Sequence, residues 1–251
     1  MQNLYRRAAI AVAAVALGST AALAQTAEEI VEKHLAASGG RAALSKLTSR
    51  TLIGTIALTT PVGELSGPIE VYSKVPNKSR TLITLDLSAV GGGQVVNDQR
   101  FDGSTGYVVD TFNGNREISG DQLEAMKNGF FPTALLVYKE QGIQVALAGR
   151  EQVAGAEAYV LTMTPKSGPA ARLFIDTSTL MLVKTAMTID VPQLGGAIEQ
   201  VVEFSDFRDV DGIKVPFATK VSNPAQTITA RVTSVTHNAD IPDGDFVRPA
   251  P

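Results

Sequence analysis

The feature that most narrows what this chain can fold into is a period-two alternation that recurs, with short breaks, from Thr51 to Val235. In Thr51–Thr59 one face carries Leu52, Ile56 and Leu58, while Thr51, Thr55 and Thr59 share the other with Ile53 and Ala57. Successive side chains of a strand point to opposite faces, so this run predicts a half-buried strand. Similar runs follow at Ile69–Val75, Arg80–Leu87, Gln94–Phe101, Tyr107–Thr111, Ile143–Val153, Ala158–Thr164, Arg172–Asp176, Leu182–Val191, Ile198–Phe207, Val215–Val221 and Thr227–Val235. Turn signals separate them at Pro76-Asn77, Asp102-Gly103, Asn113-Gly114 and Asp211-Gly212, the last two being favoured hairpin dipeptides. About eleven strands joined by such short links predict an antiparallel meander, because parallel crossovers need about a dozen intervening residues. Several runs carry bulky apolar groups on both faces, as in Ile83, Leu85 and Leu87 opposite Leu82, or Val183, Met187 and Ile189. A curled sheet with an apolar concave face must be filled by side chains, covered by helices or occupied by a ligand.

Helical spacing shows in three places. Ile30, Val31, His34 and Leu35 recur along Ala27–Leu35, and Ser38-Gly39-Gly40 stops the pattern. A second helical piece runs from Ala42 to Leu47. Asp121–Gln141 interrupts the strand rhythm: Asp121 and Glu124 have capping-box spacing, with Asp in place of Ser or Thr. Two short helices are predicted there, hinged at Phe130-Phe131, with Gly129 supplying backbone freedom and Pro132 restarting the helix. On the residues alone, this insert reads equally as a link packed on the sheet as ordinary core.

The N-terminal residues have the layout of a cleavable signal peptide over 1–24: Arg6-Arg7, an apolar stretch from Ala8 to Leu17, and small residues ending in Ala22-Leu23-Ala24. Cleavage after Ala24 would leave Gln25 as the first residue and 25–251 as one β domain, a length at which barrels and sandwiches often stay undivided. The apolar stretch falls short of the roughly 20 residues of a spanning helix, and no Cys follows it to take a lipid. Loss of Arg6 and Arg7 would move the formal net charge from −3 to −5, with no basic run left to hold phosphate backbones, so nucleic acid is not an expected partner. With no Cys, a disulfide framework and thiol-ligated metals are excluded, and stability must come from burial and sheet pairing.

Residues able to do chemistry are sparse. His34 and His237 are the two histidines; neither has metal-ligand spacing, and both read as surface or capping residues. No G-x-S-x-G exists, and Ser104 falls in a hairpin turn. Gly91-Gly92-Gly93 lacks the Lys and the helix of a phosphate loop and reads as a strand connection. Asp206, Asp209 and Asp211-Gly212 lack the alternating ligands and closing Glu of a calcium loop and read as a tight turn. No catalytic residue, metal or cofactor is assigned, and a non-enzymatic protein is expected.

Four stretches have familiar wording: Lys33-His34-Leu35-Ala36-Ala37-Ser38-Gly39-Gly40-Arg41-Ala42-Ala43-Leu44, Lys74-Val75-Pro76-Asn77-Lys78, Phe101-Asp102-Gly103-Ser104-Thr105-Gly106, and Phe204 through Phe217. Together they resemble the LolA/LolB-like outer-membrane lipoprotein-sorting superfamily, and more narrowly its little-characterised periplasmic members. The resemblance implies a mainly β, antiparallel, unclosed half-barrel of about eleven strands with helices covering the concave face. It implies a periplasmic, monomeric carrier or binding protein for lipoprotein acyl chains or another lipid-like ligand, with envelope proteins as further partners. The other role it allows is a non-enzymatic sensor or interaction module whose groove is filled by its own helices, since fold does not settle role. The insert and the opening helix would be the covering elements. The resemblance carries over no individual ligand-binding residue; we take the insert as a lid, with Leu123, Met126, Phe130, Phe131 and Leu135 as the candidate ligand-binding residues.

Overall fold

The computed structural model describes residues 25–60, 63–88, 92–191, 196–224 and 226–250. The signal peptide read at 1–24, with its cleavage after Ala24, and the first glycine of Gly91–Gly93 lie outside them. Helix α1 spans Ala27–Ala37. A reciprocal capping box opens it: Thr26 Oγ1 accepts from the Glu29 amide at 3.2 Å, and the Glu29 carboxylate accepts from the Thr26 amide at 3.0 Å. The chain then turns at Gly39 and Gly40, both at positive φ, into α2 (Arg41–Leu44), shorter than the expected Ala42–Leu47 piece.

Among the described residues thirteen strands follow, rather than about eleven. The first six are β1 (Ser49–Thr60), β2 (Gly63–Lys74), β3 (Lys78–Asp86), β4 (Gln94–Phe101), β5 (Gly106–Asp110) and β6 (Arg116–Ile118). After α3 (Gly120–Lys127) and α4 (Ala134–Val137) come β7 (Gln144–Val153), β8 (Ala156–Thr164), β9 (Ala171–Asp176), β10 (Leu182–Val191), β11 (Gly196–Val210), β12 (Ile213–Asn223) and β13 (Gln226–His237). At three residues, β6 is too short to show an alternation.

All thirteen form one antiparallel sheet in the order β6-β5-β4-β3-β2-β1-β13-β12-β11-β10-β9-β8-β7. Two meanders, β1–β6 and β7–β13, are joined side by side through the pairing of β1 with β13. Strands β6 and β7 are the two edges and do not pair among the described residues, so the sheet stays open. The segment carrying α3 and α4 connects those two edges.

Register assigns the faces. The inward face holds Leu52, Ile56 and Leu58 of β1, as the alternation predicts, together with Leu161, Leu173, Ile175 and Val215. Against the last four pack Ile30, Val31 and Leu35 of α1, Leu44 of α2, and Leu135 and Leu136 of α4. These side chains are 8% exposed or less, and each fully buried one is worth roughly 1.5–3 kcal/mol. Strands β8 and β9 are apolar on both faces because their other side holds a smaller cluster of Ala158, Val160 and Phe174, with Ala186 of β10. Arg172 and Lys184 lie over the Phe174 ring at 4.9 and 4.6 Å. On the β2–β4 part of the face away from the helices, the C-terminal segment is tied down by Lys74, which donates to Ile241 O (2.7 Å) and Asp243 (2.8 Å), with Phe246 buried beneath it.

Two glycines on neighbouring strands allow the curl. A Cβ on Gly54 would lie 2.2 Å from Arg231 O, where the β1–β13 ladder shifts, and one on Gly67 would lie 1.8 Å from Thr84 O. Backbone approaches of this kind admit no side chain. Gly67→Ala is therefore expected to lower stability by about 1–3 kcal/mol or more. In a chain of this size each kcal/mol is roughly 2–4 °C in Tm, so a thermal melt beside the parent protein checks it.

Candidate functional site

The edge-to-edge segment is tied to both meanders. From the β2–β3 turn, Asn77 Nδ2 donates to Lys127 O (3.0 Å) and Pro76 O accepts from the Phe131 amide (2.8 Å). From the other meander, the Asp190 amide donates to Asp121 (3.2 Å), Ser167 Oγ donates to Glu124 (2.8 Å), and Ser167 O accepts from Asn128 (2.9 Å). Asp121 and Glu124 thus do not form the expected capping box: the N-cap is Ser119, one step before the helix, and the two carboxylates instead meet β10 (Asp121) and the β8–β9 loop together with Lys127 (Glu124). Nor does Pro132 restart the helix, since α4 is capped by Thr133, whose Oγ1 accepts from the Leu135 amide. Gly129 has no left-handed φ.

The five candidate residues divide. Leu135 is 1% exposed within the main core, and half-buried Phe130 and Phe131 pack against that same core. Leu123 and Met126 of α3 are half-buried outside it, with Met126 Sδ 3.7 Å from Gln99 Nε2 of β4. Helix α3 has no buried residue. The structure therefore brings Phe130, Phe131 and Leu135 together and leaves Leu123 and Met126 on a helix held by polar ties.

Beneath Pro132 and Thr133 lies a cavity of about 160 Å³. Its polar lining is His34, Ser38, Arg50, Thr133 and Lys214, and no carboxylate residue lines it; Leu44, Leu182 and Phe204 are among its apolar walls. Arg50 was not singled out by motif reasoning, yet it continues the inward series of Leu52, Ile56 and Leu58 by parity. Its guanidinium stacks 5.1 Å from the Phe131 ring centroid, and its buried Nε has no hydrogen-bond partner. Burial pulls its pKa down to about 10.

Neither histidine is on the surface. His34 is 6% exposed because α1 lies against the concave face, and its Nδ1 meets Leu180 O at 2.8 Å. Burial lowers its pKa, partly offset by that carbonyl, so the ring is neutral with Nδ1–H as the donor. The His237 side chain, on a central strand, is 2% exposed; Nδ1 lies 3.2 Å from Asp211 and Nε2 is unpartnered. The aspartates of the supposed calcium loop have separate partners, Arg208 for Asp206, the Gly212 amide and Lys214 for Asp209, and His237 for Asp211. Among the described residues no three His, Cys, Asp or Glu side chains converge as metal ligands would.

These placements predict unequal costs along the insert. Leu135→Ala should cost about 2–5 kcal/mol and Leu123→Ala about 1 kcal/mol, read by denaturant titration. The lowered His34 pKa means the unfolded chain binds its proton first, near the ordinary value of about 6.5. Its stability contribution is then complete above that pH and is lost as pH falls below it. Melts between pH 7.5 and 5.5 should fall more for the parent than for His34→Asn; the aspartates held low, such as Asp102 at about 2, act only in more acid solution.

No protein-family model and no curated protein matches this chain. Solved structures do. A DUF1329 family protein from Desulfovibrio piger aligns over 86% of this chain and 97% of its own, at 16% identity and a TM-score of 0.54. A domain from Vibrio parahaemolyticus named for outer membrane lipoprotein sorting aligns over 87% and 95%, at 13% identity and 0.54. A LolA superfamily protein from Nitrosomonas europaea aligns over 87% and 97%, at 15% identity and 0.55. With its open antiparallel sheet and helix-covered concave face, the chain has the LolA-like half-barrel fold.

Proposed function

We propose that this chain is a periplasmic, monomeric carrier or binding protein for acyl chains or another lipid-like ligand, with no enzymatic activity, made with a signal peptide that is removed after Ala24. The observation that carries the reading is an apolar row across five adjacent strands. Leu65, Leu58, Ile228, Val221 and Val202 are successive register partners on β2, β1, β13, β12 and β11, on the inward face. Each is only half-buried, so this stretch of the inward face is less covered than the part filled by α1, α2 and α4. Contiguous, partly exposed apolar surface in a concave setting is what an acyl chain would cover. The cavity of about 160 Å³ is smaller than the roughly 300–1,000 Å³ of ordinary ligand sites, so a lipid would enter by displacing part of the insert. Helix α3, polar in its ties and free of buried residues, is the part that moves in this reading, with Phe130-Phe131 as its hinge against α4.

The near-complete burial of Ile30, Val31, Leu35 and Leu135 favours a second reading, a sensor or interaction module whose groove is filled by its own helices and whose partner is an envelope protein. Mass spectrometry of organic extracts from gently purified exported protein separates the two: stoichiometric lipid is expected for the carrier and none for the module. In the same preparation the intact mass should correspond to a chain beginning at Gln25. Phe130→Asp should weaken fluorescent fatty-acid binding while the sheet stays folded; unchanged binding with an unchanged melt would remove the lid from the account, and a collapsed melt would make Phe130 core.

A further inference from the structure

We infer that the cavity beneath Pro132 and Thr133 takes the carboxylate head of a single-chain amphiphile, with Arg50 as its counter-ion. This rests on the lipid-binding reading and names the polar end of the ligand. Among the described residues two buried side-chain polar atoms lack a hydrogen-bond partner, Arg50 Nε and His237 Nε2. They belong to residues directly opposed in the β1–β13 register, at the centre of the sheet. A buried polar atom left without a partner costs about 1–3 kcal/mol, and more when charged, so two such atoms on directly opposed residues mark a site rather than scattered imperfection. Of the two, the Arg50 Nε–H is the charged donor.

The arginines elsewhere sharpen the contrast. Arg80 and Arg100 share Asp98 at 2.8 and 2.7 Å, Arg41 pairs with Glu32, Arg172 with Glu151 and Arg208 with Asp206. Arg50 lines a cavity and has no carboxylate; its recorded contact is the Phe131 ring. A second cation at the wall, Lys214, is already engaged with Asp209 at 3.4 Å, so Arg50 is the group that lacks a counter-charge. Ser38 and Thr133 add hydroxyls able to donate to an oxyanion.

Size and direction select the class of anion. A planar guanidinium matches a carboxylate through two parallel N–H bonds. About 160 Å³ holds such a head and a few carbons, not a whole lipid. Phe204 of the cavity wall and Val202 of the apolar row lie two residues apart on β11 and share its inward face. A chain leaving the head group past Phe204 therefore runs onto Val202 and the row beyond it.

Isothermal titration with dodecanoate and dodecanol tests this on the parent, Arg50→Met and Arg50→Lys, each checked for folding by circular dichroism. The parent should bind dodecanoate at least tenfold tighter than dodecanol; Arg50→Met should erase that preference without weakening dodecanol, and Arg50→Lys should keep part of it. Equal affinity for the two ligands, or a preference that survives Arg50→Met, overturns the carboxylate site while leaving lipid binding standing. If neither amphiphile binds, the lipid reading fails, and the Arg50 Nε–H signal in a ¹⁵N correlation spectrum, assigned by its loss in Arg50→Lys, decides the anion separately. A shift with hexanoate but not with inorganic phosphate supports a carboxylate site. A shift with phosphate alone, or with neither, overturns it.

Discussion

Ten residue pairs between β1 and β13, from Arg50↔His237 to Thr59↔Thr227, hold the two meanders in one sheet. Every other strand pairing joins neighbours along the chain, by hairpins or short links, and closes a small loop. The β1–β13 ladder joins segments nearly two hundred positions apart, and the entropy of closing that loop must be met before any of its contacts help. What offsets the cost lies on the concave face: the paired apolar residues of the ladder line it, and α1, preceding β1, packs there against α4 of the connecting segment and β7 of the second meander. The central ladder is also where Arg50 and His237 meet, so the proposed anion site exists only once the two halves have joined.

The legible part of this fold is local. Asp211-Gly212 turns with both residues at positive φ (53° and 78°), as its dipeptide type requires, and the strands on either side follow their alternation. Ala154-Gly155 makes the same kind of turn (50° and 86°) without Asn or Asp to announce it. The helical insert and its division into two pieces were readable because Asp121–Gln141 abandons period two. The burial of its leucines is not readable in this way, because it depends on what lies opposite each one: Leu135 joins the cluster that holds α1 and the β8–β9 face, and Leu123 does not. The burial of His34 escaped for the same reason, since it depends on Leu180, 146 positions away. Arg50 precedes the Thr51–Thr59 run and shares the parity of Leu52, so the alternation itself turns this charge inward.

Two energetic regimes share the edge-to-edge segment. Helix α4 contributes Leu135 and Leu136 to a close-packed core, where loss of a side chain leaves a cavity its neighbours do not fill. Helix α3 contributes no buried residue and is held by hydrogen bonds, each worth about 0.5–1.5 kcal/mol net. Local opening draws on such low-stability elements, because few apolar contacts are lost when they part. The Phe130-Phe131 step lies at the junction of the two regimes, packed against the core on the α4 side.

Phe131 also links that bend to the charge beneath it. A guanidinium has two faces, which stack on aromatic rings, and an edge, along which its N–H donors point. The guanidinium carbon lies over the Phe131 ring, 5.1 Å from its centroid, an attraction of about 0.5–2 kcal/mol depending on how far the cation is desolvated. The buried Nε–H has no hydrogen-bond partner. In the proposed complex the carboxylate would take the edge and leave the face to the ring. A lysine offers no such division, since its ammonium is a compact point charge. Closure of the segment over a bound head group would bury a neutralised pair where a lone cation now stands, which removes the strongest electrostatic objection to the closed form. The ligand and the strap then stabilise one another through a single side chain on the central strand.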